Sequence, residues 1–583
     1  MQPNVVHGRW PHVKVAMLLL ACALGIGCTG TVAGVDNTKD NQGGSNGGGS
    51  AGSNGGNRGM AGTAGAAGAA QLPPPEVGSM PLTRLTRTQY NNVIKDLFSG
   101  GPHPADVFTP EIAGSSGFLT PGLVNEVEVQ QFQSGADQVV QSLGANLLKL
   151  APCDTAKLSE AACAEQFVQV FGKRIYRRPV AAAEVQLHTA FYKNELRGTL
   201  ALSHVEAIGV LLNAMLQSPP FLYRWERGPA APLGTPTNVP LTSWEIASRL
   251  SFFFWNSMPD AELFAVAEMD ALTNPATVKL HAQRLLASPR ADDMIKQFHR
   301  EWLWVRNSWP KDGRYALWVG GIDHAAVTDV LSTTLHVFRQ GDGKWNTLMT
   351  TPVAYLNGAL AKVYGVAGIT NTASFKGQMA MLNATERPGL LTRVGILAAG
   401  ANAIEADPIK RGKLIRIQML CQSLAAPPAN IPILPVDPTL SIRARHVAHV
   451  QNPGCAGCHA LTDGIGFGFS AYDGIGAYVP TEKSVAVDTS GVVNEIDGTN
   501  KKFASAAELN SILIKSEEVK TCLARQWVRF ALGRELENAD QPAFDKLYQD
   551  FAASDYDLRE LLVSVATSKP FLNRAPAAGE AKP

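Results

Sequence analysis

Cys455-Ala456-Gly457-Cys458-His459 sets two thiols two residues apart and follows them at once with an imidazole. That pattern is the attachment signature of a c-type haem. The thiols add across the haem vinyl groups as thioethers, and the adjacent histidine reaches the iron as the proximal axial ligand. The expected cofactor is haem c, held covalently by Cys455 and Cys458, with His459 on the iron. A zinc site competes for the same stretch, because His446, His449, Cys455 and Cys458 offer two imidazoles and two thiolates at ligand spacing.

The second axial ligand decides the chemistry. No histidine or methionine follows His459, so that ligand comes from upstream or the position is open. His449 is the nearest candidate, and Met379, Met381 and Met419 are the thioether candidates. An imidazole predicts a low-spin haem of low potential suited to electron transfer, a thioether predicts a higher potential, and an open site predicts binding of small ligands. Lys410, Arg411 and Arg443 are candidate partners of haem propionates, with surface charge as the plain alternative. The glycines in Asp463-Gly464-Ile465-Gly466-Phe467-Gly468 are expected either to let the backbone pass close to the porphyrin or to serve only as turn residues.

Other catalytic constellations are missing from the sequence. Gly-x-Ser-x-Gly occurs only within low-complexity sequence, and there is no His-Glu-x-x-His and no phosphate loop. Glu245, Asp260 and Glu262 fit helix capping or a solvated face better than acid/base work, and Phe252 to Trp255, Trp302 and Trp304 read as core. With 51 basic against 50 acidic side chains, the charge balance points to no nucleic acid or anionic surface.

Arg9 and Lys14 precede an apolar run from Val15 to Ile26 that suits an export signal and is too short to span a bilayer. Leu24-Gly25-Ile26-Gly27-Cys28 resembles a lipoprotein cleavage site, which makes Cys28 the expected lipidated residue, with Cys22 as the rival and simple secretion as the alternative. The sequence thus predicts an exported protein, lipid-anchored on the periplasmic or cell-surface face of a bacterial membrane. Residues 29–80 are mostly glycine, alanine, serine and asparagine, a disordered tether with a root-mean-square span of roughly 40 Å. In an oxidising compartment, Cys153 is expected to pair with Cys163, and Cys421 with Cys522.

Beyond the tether the chain reads as mostly α. Helical periodicity runs over 91–98, 167–175, 205–217, 243–255, 278–304, 414–424 and 505–532. A short β-hairpin is predicted from Val485-Ala486-Val487 and Val492-Val493. Leu211 to Arg224 (LLNAMLQSPPFLYR) echoes Leu561 to Arg574 (LLVSVATSKPFLNR), and a cysteine-led helix precedes each. Either two related helical modules bracket the middle of the chain, or two amphipathic helices are alike by coincidence.

Several motifs together resemble exported bacterial proteins built from consecutive domains of unknown function numbered 1587, 1595, 1592, 1588 and 1585. Leu85-Thr86-Arg87-Thr88-Gln89-Tyr90-Asn91-Asn92 is similar to the first, and Arg174-Ile175-Tyr176-Arg177-Arg178-Pro179 to the second. Leu250 to Trp255 with Pro259-Asp260 is similar to the third. Arg387-Pro388-Gly389-Leu390-Leu391, Lys410-Arg411-Gly412 and the Cys-His stretch are similar to the fourth, and Cys522 through Arg534 to the last. The resemblance implies export, a multi-module helical body and a covalent haem in a cytochrome c-like segment. This chain departs from the family pattern at Gly464, where a proline is usual, and at Ser470, where an acid is usual; Tyr472-Asp473-Gly474-Ile475-Gly476 is kept.

The expected layout is a signal peptide at 1–28, a tether at 29–80, helical modules at 81–150, 151–230 and 238–370, a haem-bearing module at 384–482 and a C-terminal helical module at 483–576. The expected function is electron transfer through one haem to or from a redox partner, protein or small molecule, at a membrane reached by the lipid anchor. Two alternatives stand beside it: a surface-binding or scaffold lipoprotein, carbohydrate-associated, with a structural haem or zinc, and a mono-haem oxidoreductase or peroxidase.

Overall fold

The computed structural model describes residues 76–576, apart from 115–116, 152, 155, 230–237, 307–308, 373–376, 426–438, 450–452 and 483. Side chains at 448–449 and 453–455 are likewise outside the described set. Cys22, Cys28 and the glycine-rich stretch up to residue 75 therefore lie outside the described residues. Among those described, no helix is long and apolar enough to cross a membrane.

Among the described residues helices dominate, and the strands form six short antiparallel pairs. Two of these pairs close the fold. Thr83–Arg84 pairs with Tyr223–Arg224, and Val239–Pro240 pairs with Asn573–Arg574. The chain thus forms two units, each tied start to end.

The echoed segments build both closures in the same way. In each, a helix (His204–Gln217 or Leu558–Thr567) stops at a serine whose hydroxyl donates to the carbonyl three residues back. One helical turn follows, Pro219–Leu222 or Lys569–Leu572, and its phenylalanine, Phe221 or Phe571, is fully buried. The next two residues are the closing strand. Leu222 and Leu572 each accept from the backbone of the opening segment, at Leu85 and Leu241. Thr86 with Gln89 and Thr242 with Glu245 then form capping boxes that start the next helix. Upstream, the Arg178–Glu184 fork that caps Ala181 is matched by the Arg534–Asp540 fork that caps Glu537. The likeness therefore extends from sequence to conformation and hydrogen bonding.

The first unit packs around Val93, Phe167, Phe171, Leu211 and Met215. The second core is continuous from Leu241 to Phe571, and it includes Trp302, Trp345, Ile465, Tyr472 and Trp527. The Trp302 indole donates to Gln418 O at 2.7 Å, and Trp345 to Ile514 O at 3.2 Å. These bonds cross the expected module boundaries. Phe118 bridges the units by packing on Phe298 and Phe530.

The predicted helix 243–255 matches Ser243–Trp255, and Glu245 and Asp260 act as caps. The 278–304 pattern is two helices, Pro275–Ala287 and Asp292–Trp302, because Ser288-Pro289 removes a donor and turns the chain. The 505–532 pattern likewise breaks at Ser516, which caps the helix Glu517–Leu532. The 414–424 helix begins earlier, at Pro408, and ends by Leu420. The expected hairpin is corrected as well: Val485–Ala486 pairs backwards with Thr481–Glu482, while Gly491–Ile496 pairs forwards with Thr499–Phe503. A residue pattern of alternating valines does not choose between neighbours.

Both expected disulfides are present, Cys153–Cys163 and Cys421–Cys522, with Cα separations of 5.6 and 5.4 Å. The second joins the segment before the Cys-His motif to the last module across 101 residues of sequence. Closing a loop of that length removes unfolded-state entropy worth about 4–5 kcal/mol. Cys421→Ser with Cys522→Ser is expected to lower the unfolding free energy by that order, read as a lower denaturation midpoint, whereas an unchanged midpoint would show that the core alone holds the modules.

His299 lies fully buried among Phe298, Trp302, Phe338 and Trp527. Its Nδ1 donates to Ile295 O at 2.7 Å, while Nε2 has no partner. Burial pushes this imidazole down to about 4. The unfolded chain binds the proton from near pH 6.5 downward while the folded chain does not, so stability falls as pH drops from 6.5 to 4, by up to about 3 kcal/mol. Denaturation curves at pH 7 and 4.5 should show a smaller acid loss in His299→Leu than in the wild type.

Candidate functional site

Pro453–Gly466 is one helix, and the Cys-His motif forms its early turns. Residues 455, 458 and 459 stand at i, i+3 and i+4, so they share a face. Cys458 is exposed and unpaired in any disulfide. A Cβ placed on Gly457 would meet nothing within 4 Å, so this turn borders open space. The side chains of Cys455 and His449 lie outside the described residues. The helix Ile442–His449 precedes the motif, and an Arg445–Glu405 fork at 3.1 and 2.5 Å pins it to the body.

Backbone seats the motif helix. A Cβ on Gly412 would lie 1.9 Å from Thr462 O, and one on Gly466 would lie 1.9 Å from Pro408 O. The motif helix and the helix Pro408–Leu414 therefore touch main chain to main chain. On the other side, Gly464 and Gly491 allow the strand Gly491–Ile496 the same approach, and Gly468 packs against Leu509 and Phe503. These glycines serve protein packing, which is neither of the two roles, porphyrin approach or turn formation, expected from sequence.

The basic candidates are also relocated. Arg411 is buried and donates to Phe469 O, Tyr472 O and Asp473 O, each at 2.8 Å, so it organises the turn after the motif helix and is not a propionate partner. Arg443 lies over the Phe467 ring at 4.4 Å and pairs with Asp488 at 3.2 Å. Lys410 pairs with Asp407 at 3.3 Å. Among the methionines, Met419 is buried in the large core, and Met379 and Met381 are exposed on the strand Gln378–Met381.

At the centre of the site is Asp463, four residues after His459 on the same helix. Its Oδ2 accepts from His459 Nδ1 at 2.8 Å and from His446 Nδ1 at 3.3 Å. Its Oδ1 accepts from the Thr462 hydroxyl at 3.1 Å. The cluster is almost wholly withdrawn from solvent. Burial raises the Asp463 carboxyl, but the hydrogen bonds from His446 and His459 outweigh it and hold the group below the usual carboxylate range. An ionised carboxylate only accepts, so both imidazoles donate through Nδ1. With Nδ1 given to Asp463, Nε2 is the ring nitrogen of His459 through which a metal would be held.

Sequence reasoning found His459 but not its carboxylate. The i, i+4 spacing to Asp463 was the available signal; His446 was named only as a candidate zinc ligand beside His449, Cys455 and Cys458, and its contact with Asp463 comes from the preceding helix. Five family models match the chain. They are, in order, proteins of unknown function DUF1587 (residues 83–144), DUF1595 (163–226), DUF1592 (241–366), DUF1588 (387–482) and DUF1585 (499–571). The chain contains all five domains in tandem. The Cys-His motif, Asp463 and His446 all fall within DUF1588. No curated protein and no solved structure matches the chain.

Gly466→Ala should test the seating of the motif helix. The added methyl meets Pro408 O head-on, and such overpacking typically costs about 1–3 kcal/mol. Gly457→Ala, facing open space, should leave the melting temperature unchanged or raise it slightly. Equal effects of the two substitutions would contradict the packing role.

Proposed function

We propose that the chain is an exported c-type cytochrome-like protein that carries one haem c on Cys455 and Cys458, with His459 as the proximal ligand. The observation supporting this reading is the His459 Nδ1 to Asp463 bond, because it assigns Nδ1 to the carboxylate and makes Nε2 the nitrogen that would bind the iron, on the helix that also carries the exposed, unbridged Cys458. The described residues fit the group: thiol and imidazole are adjacent on one helix, and the turn at Gly457 leaves space beside them. A haem held there supplies one-electron redox chemistry. In this reading Cys455 and Cys458 fix the cofactor and His459 binds the iron. Asp463 orients the His459 ring, and the glycine-seated helix fixes all of them relative to the core.

His446 does not fit the second axial position. Sharing one oxygen at 2.8 and 3.3 Å keeps the two Nδ1 atoms within about 6 Å of each other. Both rings thus spend Nδ1 on one carboxylate, which would make His446 a partner of Asp463 and not a residue holding the iron. His449 remains the proposed sixth ligand. Export and a lipid anchor at Cys28 belong to the same proposal, with a redox partner outside the cytoplasm.

A divalent metal ion is the second reading, favoured because ligand atoms of His446, His459 and Asp463 all lie within 4.8 Å of one another. Two histidines and one carboxylate suit zinc or ferrous iron. Expression in a host with cytochrome c maturation separates the two. The haem reading expects a haem-stained band on a denaturing gel, abolished by Cys455→Ala with Cys458→Ala. Stoichiometric metal with no Soret band would favour the second reading and reject the first.

A further inference from the structure

Asp463 Oδ2 serves two imidazoles at once, and only one of them belongs to the Cys-His motif. From this geometry we infer that Asp463 is a positioning residue that sets the donor strength of His459, and that His446 moderates it by sharing the same carboxylate oxygen. The inference rests on the haem reading of the site.

A carboxylate accepting from the distal nitrogen of a ligating imidazole pushes electron density onto the ligating nitrogen and strengthens it as a donor. A stronger donor and a buried negative charge both favour ferric over ferrous iron, which lowers the potential. Asp463 is placed to do this. It is buried, lies 2.8 Å from His459 Nδ1, and is fixed from its other oxygen by Thr462. His446 works against it. Its Nδ1 donates to the same oxygen at 3.3 Å and draws off part of the charge available to His459. His446 is buried and meets Asp463 Oδ2 on the Nδ1 side of His459.

The two residues should therefore move the potential in opposite directions. Asp463→Asn replaces the anion with a neutral amide of nearly the same shape and should raise the midpoint potential. His446→Leu leaves Oδ2 to His459 alone and should lower it. A purely structural role for the cluster predicts no such opposition.

The test is spectroelectrochemical titration of the full-length haem-loaded protein and its variants, with haem content measured in parallel. A rise for Asp463→Asn and a fall for His446→Leu, at unchanged haem content, support the inference. Asp463→Glu, which restores the charge, should return the potential toward the wild-type value. If Asp463→Asn does not fold, His446→Leu against Asp463→Glu carries the test. Shifts of the same sign, or none, in haem-loaded variants overturn the inference and leave the haem reading standing. Wild-type protein without haem overturns both.

Discussion

The site depends on a contact between main chains. The motif helix lies on the helix Pro408–Leu414 so closely that Thr462 O and Pro408 O occupy the places where Cβ atoms on Gly412 and Gly466 would stand. Such contact leaves little rotational freedom, since packed interiors deform only at a cost. The seated helix holds His459 and Asp463 on the side that meets the helix bringing His446, while Cys458 stands exposed. Arg411, on the helix that carries Gly412, secures the far end by donating to the carbonyls of Phe469, Tyr472 and Asp473.

The motif domain has no core of its own. Ile465, Phe469 and Tyr472 belong to the same apolar cluster as Trp345 from DUF1592 and Trp527 from DUF1585. Arg387 reinforces the union: it is buried, sandwiched between Tyr364 at 4.8 Å and Tyr472 at 5.0 Å, and donates to Thr392 O. The Cys421–Cys522 bridge adds a covalent tie. The motif segment, embedded in this way, is part of the packed core of the second closed unit and is held rigid by it.

What the sequence made legible was local. The Cys-His run, the pairing of sparse cysteines and the Ser-x-Pro-Phe-Leu-x-Arg echo are short-range patterns, and the disulfides and the repeated closures follow them. Contacts between distant segments were not legible. His446 reaches Asp463 from 17 residues away, and Gly412 meets Thr462 only because two helices pack without side chains between them. The same limit explains why Gly464, Gly466 and Gly468 read as either cofactor-facing or turn residues, since glycine permits close approach but does not name what approaches. The helix breaks at Ser288-Pro289 and Ser516 carried ordinary capping signals that apolar periodicity overrode.

The central claim is a covalent bond between this chain and one haem. Peptide mass mapping of the exported protein tests it most directly, on the fragment containing Cys455 and Cys458. The account predicts a single fragment heavier by one haem, with neither cysteine open to alkylation. Recovery of that fragment at its plain mass, with both thiols alkylated, would contradict the account.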